Sequence, residues 1–244
     1  MRLNGNTVLI TGGGSGIGLA LARAFADKDN KVIVCGRNPE KLETARQENP
    51  HIDVLACDIS SDQDQQRLLG HVTQHYPNLN ILINNAGIQH NYVFSDGEDH
   101  ARRIENEVNI NFVAHLKLID LMLPHLMQRP SAAIVNVTSA LALVPKQDAP
   151  VYCATKAAMH NFTKTLRYQM EDTSVKVFEI IPPLVETGMT AGRGKGKISP
   201  ERLTMEALRG ISSDKYEIRI GKAKILFALN RLLPSVAEKI VRHG

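Results

Sequence analysis

Tyr152 and Lys156 stand four residues apart in the run Pro150-Val151-Tyr152-Cys153-Ala154-Thr155-Lys156, downstream of a serine, Ser139, that closes the strand-like stretch Ala133–Thr138. On a helix, residues four apart share one face, so the spacing brings an ammonium close to a phenol. A free tyrosine holds its proton with a pKa of ~10. A cation roughly 4 Å away, at an effective dielectric of 20, favours the phenolate by about 4 kcal/mol. That equals roughly three pKa units, which makes Tyr152 a candidate acid or base at neutral pH. Ser139 is placed to hold the same oxygen. The plainer reading is an amphipathic helix with a surface Tyr and Lys. Such pairs arise often by chance, so further evidence must come from elsewhere in the chain.

That evidence begins at the N-terminus. Thr7-Val8-Leu9-Ile10 reads as a buried strand, followed by Thr11-Gly12-Gly13-Gly14-Ser15-Gly16-Ile17-Gly18 and the helical apolar run Ile17, Leu19, Leu21, Ala24, Phe25. Strand, glycine turn and helix form a phosphate cradle: glycines let the backbone approach a pyrophosphate, and helix N–H groups hold its charge. A glycine-rich linker is the alternative, which the flanking strand and helix disfavour. The second strand, Lys31–Cys35, exits into Gly36-Arg37-Asn38 with no acid. An acid there grips ribose hydroxyls in NAD-binding proteins, whereas a guanidinium makes charge-assisted bonds to a 2′-phosphate. One such bond is worth about 1.5–3 kcal/mol, or roughly tenfold or more in preference. The expected cofactor is therefore NADP(H), with a solvated loop arginine as the alternative role for Arg37.

The ordered set Thr11–Gly18 with Gly12, Gly16 and Gly18, Asn84-Asn85-Ala86-Gly87, Asn111, Ser139, Tyr152 and Lys156 resembles the short-chain dehydrogenase/reductase family over nearly the whole chain, and its DltE-like bacterial branch in particular. The resemblance implies a catalytic tetrad of Asn111, Ser139, Tyr152 and Lys156, the Asn111 backbone carbonyl holding a water that links Lys156 to solvent. It implies cofactor contacts from Gly12, Ser15, Gly16, Ile17, Gly18, Arg37, Asp58, Ile59, Asn85, Ala86, Gly87, Tyr152 and Lys156. Asp58 would accept from the adenine amino group and Ile59 would offer a backbone N–H. Pro182, Val185 and Thr187 would fix the nicotinamide carboxamide, although Pro183 replaces a glycine common in relatives and removes an N–H. The reaction implied is hydride transfer between NADP(H) and the carbonyl or alcohol carbon of a small, partly apolar substrate. A noncatalytic NADP(H) sensor on the same fold and a sugar-nucleotide epimerase or dehydratase are the rivals; fewer than sixty residues follow Thr187, little room for the epimerases' substrate domain.

The elements needed to hold these groups can be read in order. Further strands are expected at 52–57, 80–84, 175–181 and 216–220, with a helix over about 100–127. The expected fold is α/β: one Rossmann-type, doubly wound parallel sheet of about seven strands with helices on both faces, spanning 1–244 as a single domain. Asp58 has a second reading as a cap for the helix beginning near Ser61. His71 and His75 are four apart, with no nearby third ligand, so no metal site is expected. Leu141, Leu143 and Val144 suggest an apolar wall. Gly188 to Pro200, rich in Gly, Lys and Arg, reads as a flexible lid, its basic residues more readily solvated than bound. The tail from about Lys222 repeats Ile225, Leu229, Leu232, Val236 and Ile240, broken at Pro234. It would pack on the domain or on a second subunit of a homodimer or larger oligomer, with an anionic membrane surface the lesser candidate.

Composition excludes other classes. The 244 residues carry a net charge of +4 and only 5% aromatics, unlike a nucleic-acid binder's basic stripe with interleaved rings. No stretch approaches ~18 consecutive apolar residues, and the first residues lack a signal peptide's apolar core. Cys35, Cys57 and Cys153 are odd in number and lack C-x-x-C spacing, so neither disulfides nor zinc are expected. A cytoplasmic location follows as the default.

Overall fold

The structure, a computed structural model, describes residues 1–242. Seven parallel strands, β1 (Thr7–Thr11), β2 (Lys31–Gly36), β3 (Ile52–Ala56), β4 (Leu79–Asn84), β5 (Ala132–Val137), β6 (Val175–Ile181) and β7 (Glu217–Arg219), form one sheet in the order β3-β2-β1-β4-β5-β6-β7. The order reverses between β1 and β4, which opens a crevice at the strands' C-terminal ends.

Successive strand side chains point to opposite faces, and both faces are covered. Val8 and Ile10 of β1, with Val32 and Val34 of β2, pack against Leu21 and Phe25 of helix α1 (Gly16–Ala26). On that face farther along the sheet, Phe178 and Ile180 lie in the same cluster as Leu203 and Leu208 of α7 (Pro200–Ser212). Leu9, Ile33 and Leu82 face the other way, toward Leu68 and Val72 of α3 (Asp62–His75) and Leu118 and Met122 of α5 (Ala114–Met127). Ile134 and Val177 share that cluster with Leu166 of α6 (Pro150–Gln169). Helix α2 (Pro39–Glu48) follows β2, with Asn38 accepting from Lys41 N as its cap.

The long helix expected over 100–127 is three pieces: α4 (Ala101–Val108), a π-turn over Asn109–Val113, and α5. By length and composition this run suffices to cross a membrane, but Leu118, Ile119, Met122 and Leu126 are spent on the sheet. The tail is α8 (Lys222–Leu232) and α9 (Pro234–Val241), divided at Pro234 as expected. The cap of α3 is Ser61, which accepts from Asp64 N, and not Asp58. Val144 is fully buried and lies in the core.

Candidate active site

The glycine turn is fitted against the end of β4. Gly12 has φ +66°, and a Cβ there would stand 2.8 Å from Ala86 Cα. A Cβ on Gly18 would collide with the Gly12 carbonyl oxygen and meet Asn85 Nδ2 at 2.5 Å. Thr11 Oγ1 accepts from both Asn85 N and Ala86 N at 3.0 Å, while Asn85 Nδ2 donates to the carbonyls of Thr11 and Gly12 at 3.0 and 3.2 Å. Ser15 caps α1 without a side-chain cap bond, and no acid occupies the helix's first turn. The N-terminus of α1 therefore meets the cavity with donors and no competing negative charge, as a pyrophosphate requires.

Gly12 N and Gly13 N both donate to Cys35 O, which fastens the turn to β2 and sets Arg37 at the same end of the cavity. Arg37 and Lys41 line this end, and neither forms an ion pair among the described residues. Asp58 and Ile59 line it too. One Asp58 oxygen accepts from Ser60 N and Ser60 Oγ, at 2.9 and 2.6 Å.

Ser139, Tyr152 and Lys156 are nearly buried at the middle of the cavity. Ser139 ends β5 and accepts from Leu141 N at 3.1 Å. Tyr152 and Lys156 project from the first turns of α6. The Lys156 ammonium donates to Val137 O at 2.9 Å and lies 5.7 Å from the centroid of the Tyr152 ring. Here the structure corrects the sequence-based expectation of an acidified phenol. Burial pushes Tyr152 up to about 12, with the Ser139 hydroxyl pulling the other way, and it pushes Lys156 down to about 8 against the opposing charge of Glu179. Desolvation penalises both charged forms, and the amine spends a hydrogen bond on the backbone of β5.

Asn111 sits within the π-turn and is fully buried. Its side chain clamps the β4 loop, with Oδ1 accepting from Ile88 N at 2.8 Å and Nδ2 donating to Ile88 O at 2.9 Å. A Cβ on Gly87 would lie 3.2 Å from Asn111 Oδ1 and 3.7 Å from Lys156 Nζ, so these groups meet at one point. Such π-turns recur at functional sites.

On the far wall, Pro182 O accepts from Ala140 N at 3.0 Å, coupling this loop to the serine turn. Pro183 lines the cavity beside it. Val185 is buried and bridges to Ile198, while Thr187 N donates to Thr190 Oγ1 at 3.1 Å. Of the basic residues between, Arg193 and Lys197 are engaged, contrary to the solvated reading, while Lys195 is exposed. Arg193 donates to Asn91 Oδ1 and to Met189 O, and Lys197 to Thr190 O. Leu141 lines the cavity, but Leu143 does not.

The whole cavity measures about 840 Å³, within the usual range for ligand sites. Every site residue expected from the sequence lines it except Gly18 and Asn111, which stand behind its surface. Missed in the sequence were Lys41, one turn into α2 from Arg37, and Thr11, whose hydroxyl ties β1 to the Asn85 turn. Also missed were Leu184, Met189 and Leu226, which form the apolar end with Ile225, Leu229 and Ile240, three residues expected only as a packing face of the tail. Lys41 had a signal, a second cation four residues from Arg37.

A model of the short chain dehydrogenase family matches residues 6–197. The oxidoreductase DltE of Bacillus subtilis, itself uncharacterized, is 46% identical over 216 residues, covering 88% of this chain and 83% of its own length. The fold matches a short chain dehydrogenase from Burkholderia cenocepacia in complex with NADP, with TM-score 0.88, 21% identity and full coverage of both chains. It also matches a short chain dehydrogenase/reductase from Burkholderia phymatum in complex with NAD, with TM-score 0.85, 20% identity and 100% and 98% coverage. By the family match and the identity to DltE, this chain belongs to the short-chain dehydrogenase/reductase family, among its DltE-like oxidoreductases.

Proposed function

We propose that the protein is an NADP(H)-dependent reductase of a small, partly apolar carbonyl compound. The observation that carries this reading is the shared cavity: a glycine cradle with two cations unpaired among the described residues at one end, Ser139, Tyr152 and Lys156 at the middle, and apolar side chains at the other end. Arg37 and Lys41 support a 2′-phosphate, and hence NADP(H) over NAD(H). NADP(H), when bound, supplies the hydride chemistry. The cradle of Gly12, Ser15, Gly16 and Ile17 would hold its pyrophosphate, and Asn85, Ala86 and Gly87 would flank it. Asp58 and Ile59 would meet the adenine, with Pro182, Val185 and Thr187 at the nicotinamide.

Within that frame Ser139 orients the substrate oxygen by hydrogen bonding. Tyr152 gives it the proton. A phenol held at about 12 is protonated at neutral pH, as the proton donor in carbonyl reduction must be. Lys156 returns the proton to Tyr152, and a water on the Asn111 backbone carbonyl reconnects the amine to solvent. Positioned proton transfer of this kind contributes about 10²–10⁴-fold. Three free, buried cysteines support a reducing, cytoplasmic setting. Exposed Ile225, Leu232, Leu233, Val236 and Ile240 support a homodimer or higher oligomer that covers α8 and α9.

A noncatalytic NADP(H) sensor is favoured by one observation, the bond that ties Lys156 to Val137 O instead of aiming it at the phenol. Mixing the protein and NADPH with a panel of aldehydes and ketones separates the two. Oxidation of NADPH by some member is expected; tight binding with no oxidation across the panel would leave the sensor.

A further inference from the structure

A fully buried carboxylate stands beside the reacting groups with no part in the chemistry described so far. Glu179, on β6, is 0% exposed. Thr138 Oγ1 donates to its Oε1 at 2.6 Å, and His160 Nδ1 lies 2.9 Å from both of its oxygens. Thr138 immediately precedes Ser139. His160 follows Lys156 by four residues, as Lys156 follows Tyr152, so one stripe of α6 carries phenol, amine and imidazole in turn. A carboxylate this deep is costly unless paired and hydrogen-bonded, and breaking such a pair is more damaging than never having it.

Few charges face it. His160 from α6 holds both of its oxygens, and Lys156, one turn back on the same helix, is bonded to Val137 O, the residue before the Thr138 that braces Glu179. From the neighbouring strand β7, Arg219 is taken by Glu217 and lies over the Phe227 ring, 3.8 Å from its centroid. Arg167 donates to Val177 O. From α8, Phe227 places its edge against the His160 ring at 6.5 Å. Lys156 is thus the amine that Glu179 can bias, and His115 of α5, whose ring meets Ala86 O at 2.8 Å, is another titratable group that faces that amine.

We propose that Glu179 is a positioning residue: braced by Thr138 and His160, its negative charge keeps Lys156 protonated beneath Tyr152. This rests on the reading of Tyr152 and Lys156 as the proton-transfer pair. The bracing also ties the charge to the strand end that presents Ser139, so one carboxylate serves both groups.

The test reads Lys156 directly in the cofactor-free protein. A small acylating reagent is pulsed across neutral and alkaline pH, and modification of Lys156 is mapped by mass spectrometry. In the unmodified sequence the rate should reach half its maximum near pH 8, where the amine loses its proton. In Glu179→Gln the midpoint should fall, giving at least about threefold faster labelling at neutral pH. With NADPH and a reducible carbonyl, the decline of kcat with rising pH should shift to lower pH in the same variant. An unchanged labelling midpoint in a folded Glu179→Gln protein overturns the proposal, even if its melting temperature drops. Should that variant fail to fold, His160→Gln keeps a donor on the carboxylate. A Lys156 midpoint at or above the original supports the proposal there, and a lower one overturns it. If no carbonyl is ever reduced, the functional reading fails, while labelling still decides what Glu179 does to Lys156.

Discussion

At the Arg37 end of the cavity the wall is mostly backbone: glycines without Cβ atoms, N–H groups of the α1 turn and a threonine hydroxyl that accepts two amides. At the Ile240 end the wall is side chains, contributed by the loop after β6 and by two short helices with little buried area of their own. The first end is rigidly specified at Gly12 and Gly18, where an added Cβ would meet backbone. The second tolerates exchange, because one apolar side chain can replace another at small cost. A common cofactor with varied substrates is what this division of labour permits.

The contrast can be broken at graded cost. Lys156→Met removes the amine between both ends and should lower carbonyl reduction by roughly 10²–10⁴-fold, measured as turnover at saturating NADPH. Gly18→Val should come next, since its side chain must displace Gly12 and Asn85. Overpacking of this kind costs roughly 1–3 kcal/mol, so both thermal stability and nucleotide affinity should fall. Arg37→Ala should weaken NADPH about tenfold or more and NADH hardly at all; equal losses would remove Arg37 from phosphate recognition. Leu229→Ala should do least. Leu229 is only half-buried, so the loss should amount to about one CH₂ of contact, about 0.8 kcal/mol or a few-fold in kcat/KM for substrates with an apolar chain, and nothing in NADPH affinity.

The same division explains what could be read in the chain beforehand. Backbone-built features announce themselves, because Gly12, Gly16 and Gly18 must be glycine and their spacing is set by the strand–turn–helix geometry. The sheet was legible for a similar reason: runs such as Thr7–Ile10 and Lys31–Cys35 are apolar on both faces and end in turns. Side-chain features were less visible. Nothing near Leu184 or Ile240 marks them as neighbours across a cavity, since that depends on how α8 and α9 return over the sheet edge. The π-turn at Asn111 lies in an ordinary helical pattern and depends on tertiary packing. The phenol and amine were found by their spacing, but their protonation was misjudged. Spacing reports proximity along a helix; it does not report that both groups lie under a wall that excludes water, or that a strand carbonyl claims the ammonium.

The central claim is that a phenol in that wall hands its proton to a substrate oxygen beside bound nucleotide. Tyr152→Phe tests it most directly, with NADPH affinity and carbonyl turnover measured on the same preparation. Affinity within a few-fold of the original with turnover reduced by about 10²-fold or more is the predicted result. Near-original turnover in the phenylalanine variant would contradict it.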